Sequence, residues 1–196
     1  MATIGLRDIY YAVIESDDES GTVYGTPKKF SPAMTLTYTP TYNRANLRGD
    51  DRVVATASSK GTTTVAVGLT DLTKEAQVDV LGATVASDGG VLEGANNRPA
   101  DVALMYRAEK ANGAYRYDVI YKVQFDPAEE SLETKQDTPT FATPTLNGEA
   151  IPRLSDGWER KKYNSDDEDI DQGFFDTFFD SVPEPEPGNG EGGAEG

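Results

Sequence analysis

Val102-Ala103-Leu104-Met105-Tyr106-Arg107-Ala108-Glu109-Lys110-Ala111-Asn112-Gly113-Ala114-Tyr115-Arg116-Tyr117-Asp118-Val119-Ile120-Tyr121-Lys122-Val123 reads as a β-hairpin. Two runs rich in aromatic and β-branched residues flank Asn112-Gly113. That pair is favoured in a two-residue type I′ turn, where both positions need φ > 0. Folding about it sets Val102 against Val123, Leu104 against Tyr121, Tyr106 against Val119 and Ala108 against Tyr117, all on one side. On the other side Arg107 meets Asp118 and Glu109 meets Arg116. Each complementary pair contributes about 0.2–1 kcal/mol, and a one-residue slip would exchange the two faces. The second face also places Met105 opposite Ile120. Two large aliphatics are out of place on a solvated face, so this face is expected to be covered. The class that follows is a β-sheet protein with a core face and a mixed face.

Composition narrows function sharply. The chain has 196 residues, 37% of them hydrophobic, with no histidine and no cysteine. One domain of that size buries roughly two-thirds of its unfolded surface. Zinc sites of the His/Cys kind, Cys nucleophiles, Ser-His-Asp triads and disulfides are excluded by residue type. Met1 to Tyr10 carries Arg7 and Asp8 and no apolar h-region, so no signal peptide is expected, and no apolar run is long enough for a membrane span. Synthesis and assembly in the cytoplasm are the expectation. The net charge is −16, and eleven of the 34 acids lie within residues 165–196, which hold no Lys or Arg. The remainder is only mildly acidic. Tight nucleic-acid binding needs clustered Lys and Arg, so it is not expected; solubility is the plain role of the acidic stretch.

The rest of the chain alternates strand and turn. Leu6 to Ile14 is a predicted strand, followed by the acidic loop Glu15 to Gly21. Ala33 to Tyr38 alternates Met34, Leu36 and Tyr38. Residues 39–60 read as two extended arms, Tyr42 to Arg48 and Arg52 to Ser58, around Gly49-Asp50-Asp51. Their apolar content is low, chiefly Leu47, Val53 and Val54. Such a segment is either a loose loop or an arm that orders against a neighbour; the arm is the preferred reading. In Thr62 to Leu69, Val65, Val67 and Leu69 form one face. Leu69, Leu72, Ala76 and Val80 then fall at helical spacing, predicting a helix over about 71–81, capped by Thr70 or Asp71 and stopped by Gly82. Leu132 to Ala142 reads as a strand broken by proline. From Ser165, acids precede a stripe of Ile170, Phe174, Phe175, Phe178, Phe179 and Val182, a helix start favoured by negative charge. Pro183 ends it, and the remainder is an acidic Pro/Gly tail expected to be disordered. The domain reading is therefore a β-domain over 1–164, an acidic aromatic helix over 165–182 and a tail over 183–196.

Chemical motifs are weak. Asp167, Asp169 and Asp171 resemble a calcium loop, but Gln172 stands where Gly is needed and Phe178 where Glu is needed. No phosphate-cradling glycine motif is present, and no two carboxylates are set apart in an apolar setting. No metal and no cofactor are expected. The Phe stripe has two readings: packing on its own domain, or docking on a neighbouring subunit. Four Phe rings at roughly 1.5–3 kcal/mol each are too costly to leave in water.

Taken in order, Gly5-Leu6-Arg7-Asp8-Ile9-Tyr10-Tyr11-Ala12, Tyr24-Gly25-Thr26-Pro27, Gly68-Leu69-Thr70-Asp71-Leu72 through Leu81-Gly82, Ala111-Asn112-Gly113, Thr138-Pro139-Thr140-Phe141-Ala142-Thr143-Pro144-Thr145-Leu146-Asn147-Gly148 and the acidic, aromatic stretch after Trp158 resemble the major tail tube proteins of long-tailed, non-contractile bacteriophages (siphophages). The resemblance spans roughly residues 1 to 182. It implies a mainly β fold, a β-sandwich or barrel with one flanking α-helix and a short C-terminal helix, and no catalytic residues. It implies a virion structural protein: a homohexameric ring, stacked into a tube through which phage DNA passes without tight binding. Partners would be further copies and other tail proteins (tape measure, tail terminator and distal tail protein), with no membrane contact. Candidate subunit-interface or lumen residues are Arg48, Asp50, Asp51, Arg52, Met105, Ile120, Phe174, Phe175, Phe178 and Phe179. The alternative, which a β-sandwich equally permits, is an Ig-like adhesion or carbohydrate-binding module of a virion or cell surface. Clustered exposed aromatics would favour that, whereas Trp158 stands alone.

Overall fold

The computed structural model describes residues 2–49, 52–127 and 143–186. The strands in chain order are β1 (Thr3–Asp18), β2 (Gly21–Tyr24), β3 (Lys28–Lys29), β4 (Ala33–Gly49), β5 (Arg52–Leu69), β6 (Thr84–Val85), β7 (Val91–Leu92), β8 (Asp101–Lys110), β9 (Tyr115–Phe125), β10 (Thr145–Ala150) and β11 (Arg160–Asn164). Two helices, α1 (Lys74–Leu81) and α2 (Gln172–Asp176), accompany them. The protein is mainly β, as expected. One sheet runs β2-β1-β8-β9-β10-β5-β4, with β3 added to β1 and β11 to β9; β6 and β7 form a separate ribbon. The predicted strand within Leu132 to Ala142, the Asp50-Asp51 tip and the tail beyond Glu186 lie outside the described residues.

The sheet curls. Ile9 and Tyr11 of β1 share one apolar cluster with Val65, Val67 and Leu69 of β5, although three strands separate them in the sheet. Ala76, Val80 and Leu81 of α1 close that cluster from one side. The helix is one turn shorter than the periodicity predicts. Its N-cap is Thr73, whose hydroxyl accepts from the Ala76 N–H at 3.3 Å. Gly82 ends it in the left-handed region as expected, at φ 67°, and a Cβ there would collide with the Arg98 carbonyl. Asp79 on the helix accepts from the Tyr11 hydroxyl at 3.0 Å and from Lys28 at 2.6 Å, which ties α1 to β1 and β3.

The β8–β9 hairpin forms, but its register differs from the two-residue reading. Lys110 donates to the Ala114 carbonyl at 2.8 Å, so the loop has three residues. Of these only Gly113 has positive φ, at 81°. A type I turn with a left-handed glycine as its third residue thus replaces the type I′ turn. Leu104 then faces Ile120, Met105 faces Val119, Tyr106 faces Asp118 and Arg107 faces Tyr117. An irregularity between Val102 and Leu104 restores the expected Val102–Val123 pair. The charged pairs are redistributed accordingly. Arg107 bonds Asp8, Arg7 bonds Glu109, and the fully buried Asp118 receives Arg116 and Arg160, each at 2.6 Å.

Both faces of this hairpin are buried. Val102, Leu104, Tyr106 and Ile120 point into the cluster under α1. Ala103, Met105, Tyr117, Val119 and Tyr121 point the other way, into a second cluster with Phe175, Phe178 and Val182. The C-terminal segment is the cover that Met105 called for.

A further detail was invisible in the sequence. Asp8 has φ 44° and sits at an irregularity of β1 between Arg7 and Ile9. Asp tolerates that conformation better than most side chains. There its carboxylate bonds Lys29 at 2.7 Å and Arg107 at 2.6 Å.

Candidate assembly site

β4 and β5 pair along almost their whole length, from Ala33–Leu69 to Gly49–Arg52. β10 accompanies β5 only over Thr63–Gly68. Beyond that point the pair leaves the sheet as a two-stranded arm. At about 3.3 Å per residue, residues 41–49 reach about 30 Å outward. Tyr42, Leu47 and Val54 are each more than half exposed. Alternation sorts the arm into two faces. Asn43 opposite Ser59, Ala45 opposite Ala57 and Leu47 opposite Ala55 share one face, polar toward the root and small and apolar toward the tip; Tyr42 opposite Lys60, Arg44 opposite Ser58 and Asn46 opposite Thr56 make the other polar and basic. A two-stranded hairpin alone is marginal in water, and this one has no core of its own.

Its root, in contrast, is braced. β11 runs on in line with β10 along β9: Ala150 pairs with Val123 and Arg160 with Ile120. The intervening residues 151–159 loop out and deliver Glu159 to the fork between β11 and the arm. Glu159 is buried, pairs with Lys60 of β5 and accepts from the Tyr38 hydroxyl of β4 at 2.8 Å. Burial pushes its carboxyl up, but the bonds from Lys60 and Tyr38 outweigh this and hold it below the ordinary carboxylate range. The Arg160 guanidinium lies 4.5 Å from the Tyr38 ring centre. Between β11 and the arm remains an open cleft of about 470 Å³, lined by Tyr38, Tyr42, Lys60, Trp158, Arg160 and Lys162. Sequence reasoning missed this root. Its signal was the alternating Glu159-Arg160-Lys161-Lys162 run, which sends Arg160 and Lys162 to the cleft and Lys161 to the opposite face.

The candidate interface residues divide. Arg48 and Arg52 lie exposed near the end of the arm, and Asp50 and Asp51 fall outside the described residues. Met105 and Ile120 are wholly buried within the protomer, on opposite faces, because the three-residue turn shifts their register. Phe178 and Phe175 are likewise buried in the protomer, and Phe174 and Phe179 are partly buried beside them. Tyr117 is their anchor, with ring centres 4.7 Å from Phe175 and 4.9 Å from Phe178, while Phe179 stacks on Tyr10 at 4.5 Å. These six therefore serve the chain's own core. The segment packs without a long helix: α2 has five residues, N-capped by Asp171, and Thr177 closes it.

Among the described residues no group of acids, with or without other ligand types, is arranged to hold a metal ion, and no helix is long and apolar enough to cross a membrane. The body is a curled, open sheet braced by internal ion pairs, and from it a two-stranded arm projects with Tyr42, Leu47 and Val54 exposed. The phage tail tube protein family matches residues 41–184, from the arm to Glu184 after the Phe segment. The chain belongs to that family and is a structural component of a phage tail. Among solved structures it is similar to a chain of the anti-feeding prophage (AFP) baseplate, determined by cryo-EM and 6-fold symmetrised. That likeness has 8% identity and a TM-score of 0.41, and covers 83% of this chain and 96% of that one. No curated protein sequence matches it.

Proposed function

We propose that this chain is the repeating subunit of a tail tube of the non-contractile type: six copies close into a ring, and stacked rings form the conduit through which phage DNA passes to the host. The observation that carries this reading is the arm. Residues 41–60 expose a small apolar face that the protomer leaves uncovered, and a neighbouring copy of the same chain offers the surface to cover it. In this reading the body of 1–164 builds the ring, 165–182 caps its outer layer and 183–196 is an appended tail. Subunits assemble in the host cytoplasm and reside in the virion tail, against the tape measure, terminator and distal tail proteins. The protein makes and breaks no bonds. The ring-building body, which is only mildly acidic once residues 165–196 are set aside, suits a conduit whose wall does not hold phosphate tightly.

Cryo-EM of polymers, formed from concentrated protein or seeded with a tail-tip complex, tests this. Six-fold rings with the arm seated on an adjacent copy are expected. Polymers whose arms touch nothing would contradict the assignment. The pair Asp50→Lys with Asp51→Lys probes the tip: tube yield is expected to fall, and wild-type yield would remove the tip from any interface or lumen.

A further inference from the structure

We propose that the basic face of the arm docks on a second copy of this chain, against the acidic outer side of that copy's residues 165–186. This seat presupposes the ring-and-tube assembly proposed above and names the surface that the arm meets. Tyr42, Arg44, Asn46 and Arg48 alternate onto one face of β4. Tyr42 also lines the cleft at the arm root, together with Lys162 of β11. Face and cleft are therefore continuous, a stripe carrying Lys162, Arg44 and Arg48, all three exposed. From residue 42 to residue 48 it runs about 20 Å. Lys60 and Arg160 beside it are already paired, with Glu159 and Asp118. Lys162, Arg44 and Arg48 have no ion-pair partner among the described residues. The Arg160 charge pulls the Lys162 ammonium below its usual range, a repulsion that an added carboxylate relieves.

The partner follows from charge. Residues 41–60 hold four cations against two acids, in a chain of net charge −16. Another copy is thus a strongly acidic neighbour, and its acids are densest over 165–186, where nine occur with no Lys or Arg. The apolar side of that segment is spent on the second core cluster. Its acids face outward: Glu168, Asp169, Asp176 and Asp180 are exposed and have no ion-pair partner among the described residues. The two surfaces do not meet within one chain. Arg160 and Lys162 of β11 face the cleft, whereas Tyr163 turns the other way and packs on Phe174 and Phe178. The acidic segment therefore lies across β11 from the basic stripe, and only a contact between copies unites them. Such a contact is heterologous, as a ring or a stack requires. A phosphate backbone fits the stripe less well, because Asp50 and Asp51 interrupt the arm's cations and phosphate binding wants them clustered. The arm's small apolar face points the opposite way and is left to the contact described above.

Charge reversal in the full chain tests the pairing. Arg44→Glu with Arg48→Glu is expected to cut the yield of tubes seeded by a tail-tip complex about ten-fold, and Glu168→Lys with Asp169→Lys to do the same, because like charges then oppose each other across the contact. All four positions are exposed, so both monomers should keep the wild-type melting temperature. The four changes combined in one chain are expected to restore about half the yield or more, since the same pairs re-form with their signs exchanged. Contact is read directly by carbodiimide coupling in tubes grown from mixed isotopically labelled and unlabelled Arg44→Lys chains. Links from position 44 to Glu168, Asp169, Asp176 or Asp180 of the other copy are expected. Links solely to other acids overturn the seat, as does wild-type yield from either reversed chain or a folded four-fold variant that stays monomeric. Binding of duplex DNA to the wild-type monomer that Arg44→Glu with Arg48→Glu abolishes also overturns it, since the stripe then serves phosphate. Normal tubes from the reversed chains leave the assembly reading standing, whereas a wild-type chain that never polymerises on the seed ends both.

Discussion

The C-terminal Phe segment and the β4–β5 arm both enter as candidate contact surfaces, and the folded chain treats them oppositely. The Phe segment finds its partner at home. Tyr10, Met105, Tyr117 and Val119 supply an apolar face, and Phe178 is only 1% exposed against it. The arm finds none: Tyr42, Leu47 and Val54 remain open to solvent. The difference lies in where each sits. A segment that follows the last strand can fold back across the sheet, whereas a hairpin that outruns its neighbour β10 has only itself to pair with. Apolar content alone did not separate the two, since the segment with more of it is the one already satisfied.

Substitutions sharpen the contrast. The largest effect is expected from Phe178→Ala, which leaves a void under Tyr117 and Tyr163. Urea denaturation of the monomer should show a loss of about 3–5 kcal/mol. An unchanged midpoint would return the Phe segment to the list of contact surfaces. Next comes the root. Glu159→Ala strips Lys60 and the Tyr38 hydroxyl of their acceptor and is expected to cost about 1–3 kcal/mol, with faster tryptic cleavage at Lys60.

Acid should loosen the same ties more gently. The carboxyls of Glu159, Asp17 and Asp8 are all held below their ordinary values, in each case with a lysine partner opposing the effect of burial. Their contribution is complete above the unfolded carboxylate range, about pH 4.3, and is lost as pH falls through the lower folded values. A melting temperature that holds constant across that acid range would contradict these assignments. The smallest effect on the monomer is expected at the arm. Leu47→Asp should change its stability by less than about 0.5 kcal/mol, yet abolish tube growth. A Leu47→Asp protein that polymerises normally would take the arm's apolar face out of the contact.

Much of this was legible in local sequence. The Asn112-Gly113 hairpin, the Val65-Val67-Leu69 core face, the Gly82 helix stop and the outlying arm all follow from short-range chemistry that the fold respects. The register of the hairpin did not follow, because Asn-Gly, though favoured in a two-residue loop, also fits the last two positions of a three-residue loop whose final glycine is left-handed. Lys110 bonding Ala114 decides between them, and that bond is worth one residue of slip on every pair nearest the turn. Hence Met105 and Ile120, read as neighbours on one face, belong to opposite cores. The prediction that their face is covered stood while its occupant changed, from a second subunit to the chain's own Phe segment. Long-range pairings such as Glu159 with Lys60, or Asp8 with Arg107, carry no sequence-local signal. They depend on the residue 151–159 loop and the β1 irregularity, which only the assembled sheet positions.

The chain's lack of cysteine allows the central claim to be tested at single sites. Leu47→Cys and, as a reference on the body, Val23→Cys place one thiol each at positions more than half exposed in the protomer. Maleimide labelling should be fast at both in the monomer. In assembled tubes the account predicts strong protection at position 47, with intersubunit cross-links to it. Equal labelling of Leu47→Cys before and after assembly would contradict the claim that the arm is the surface by which copies hold one another.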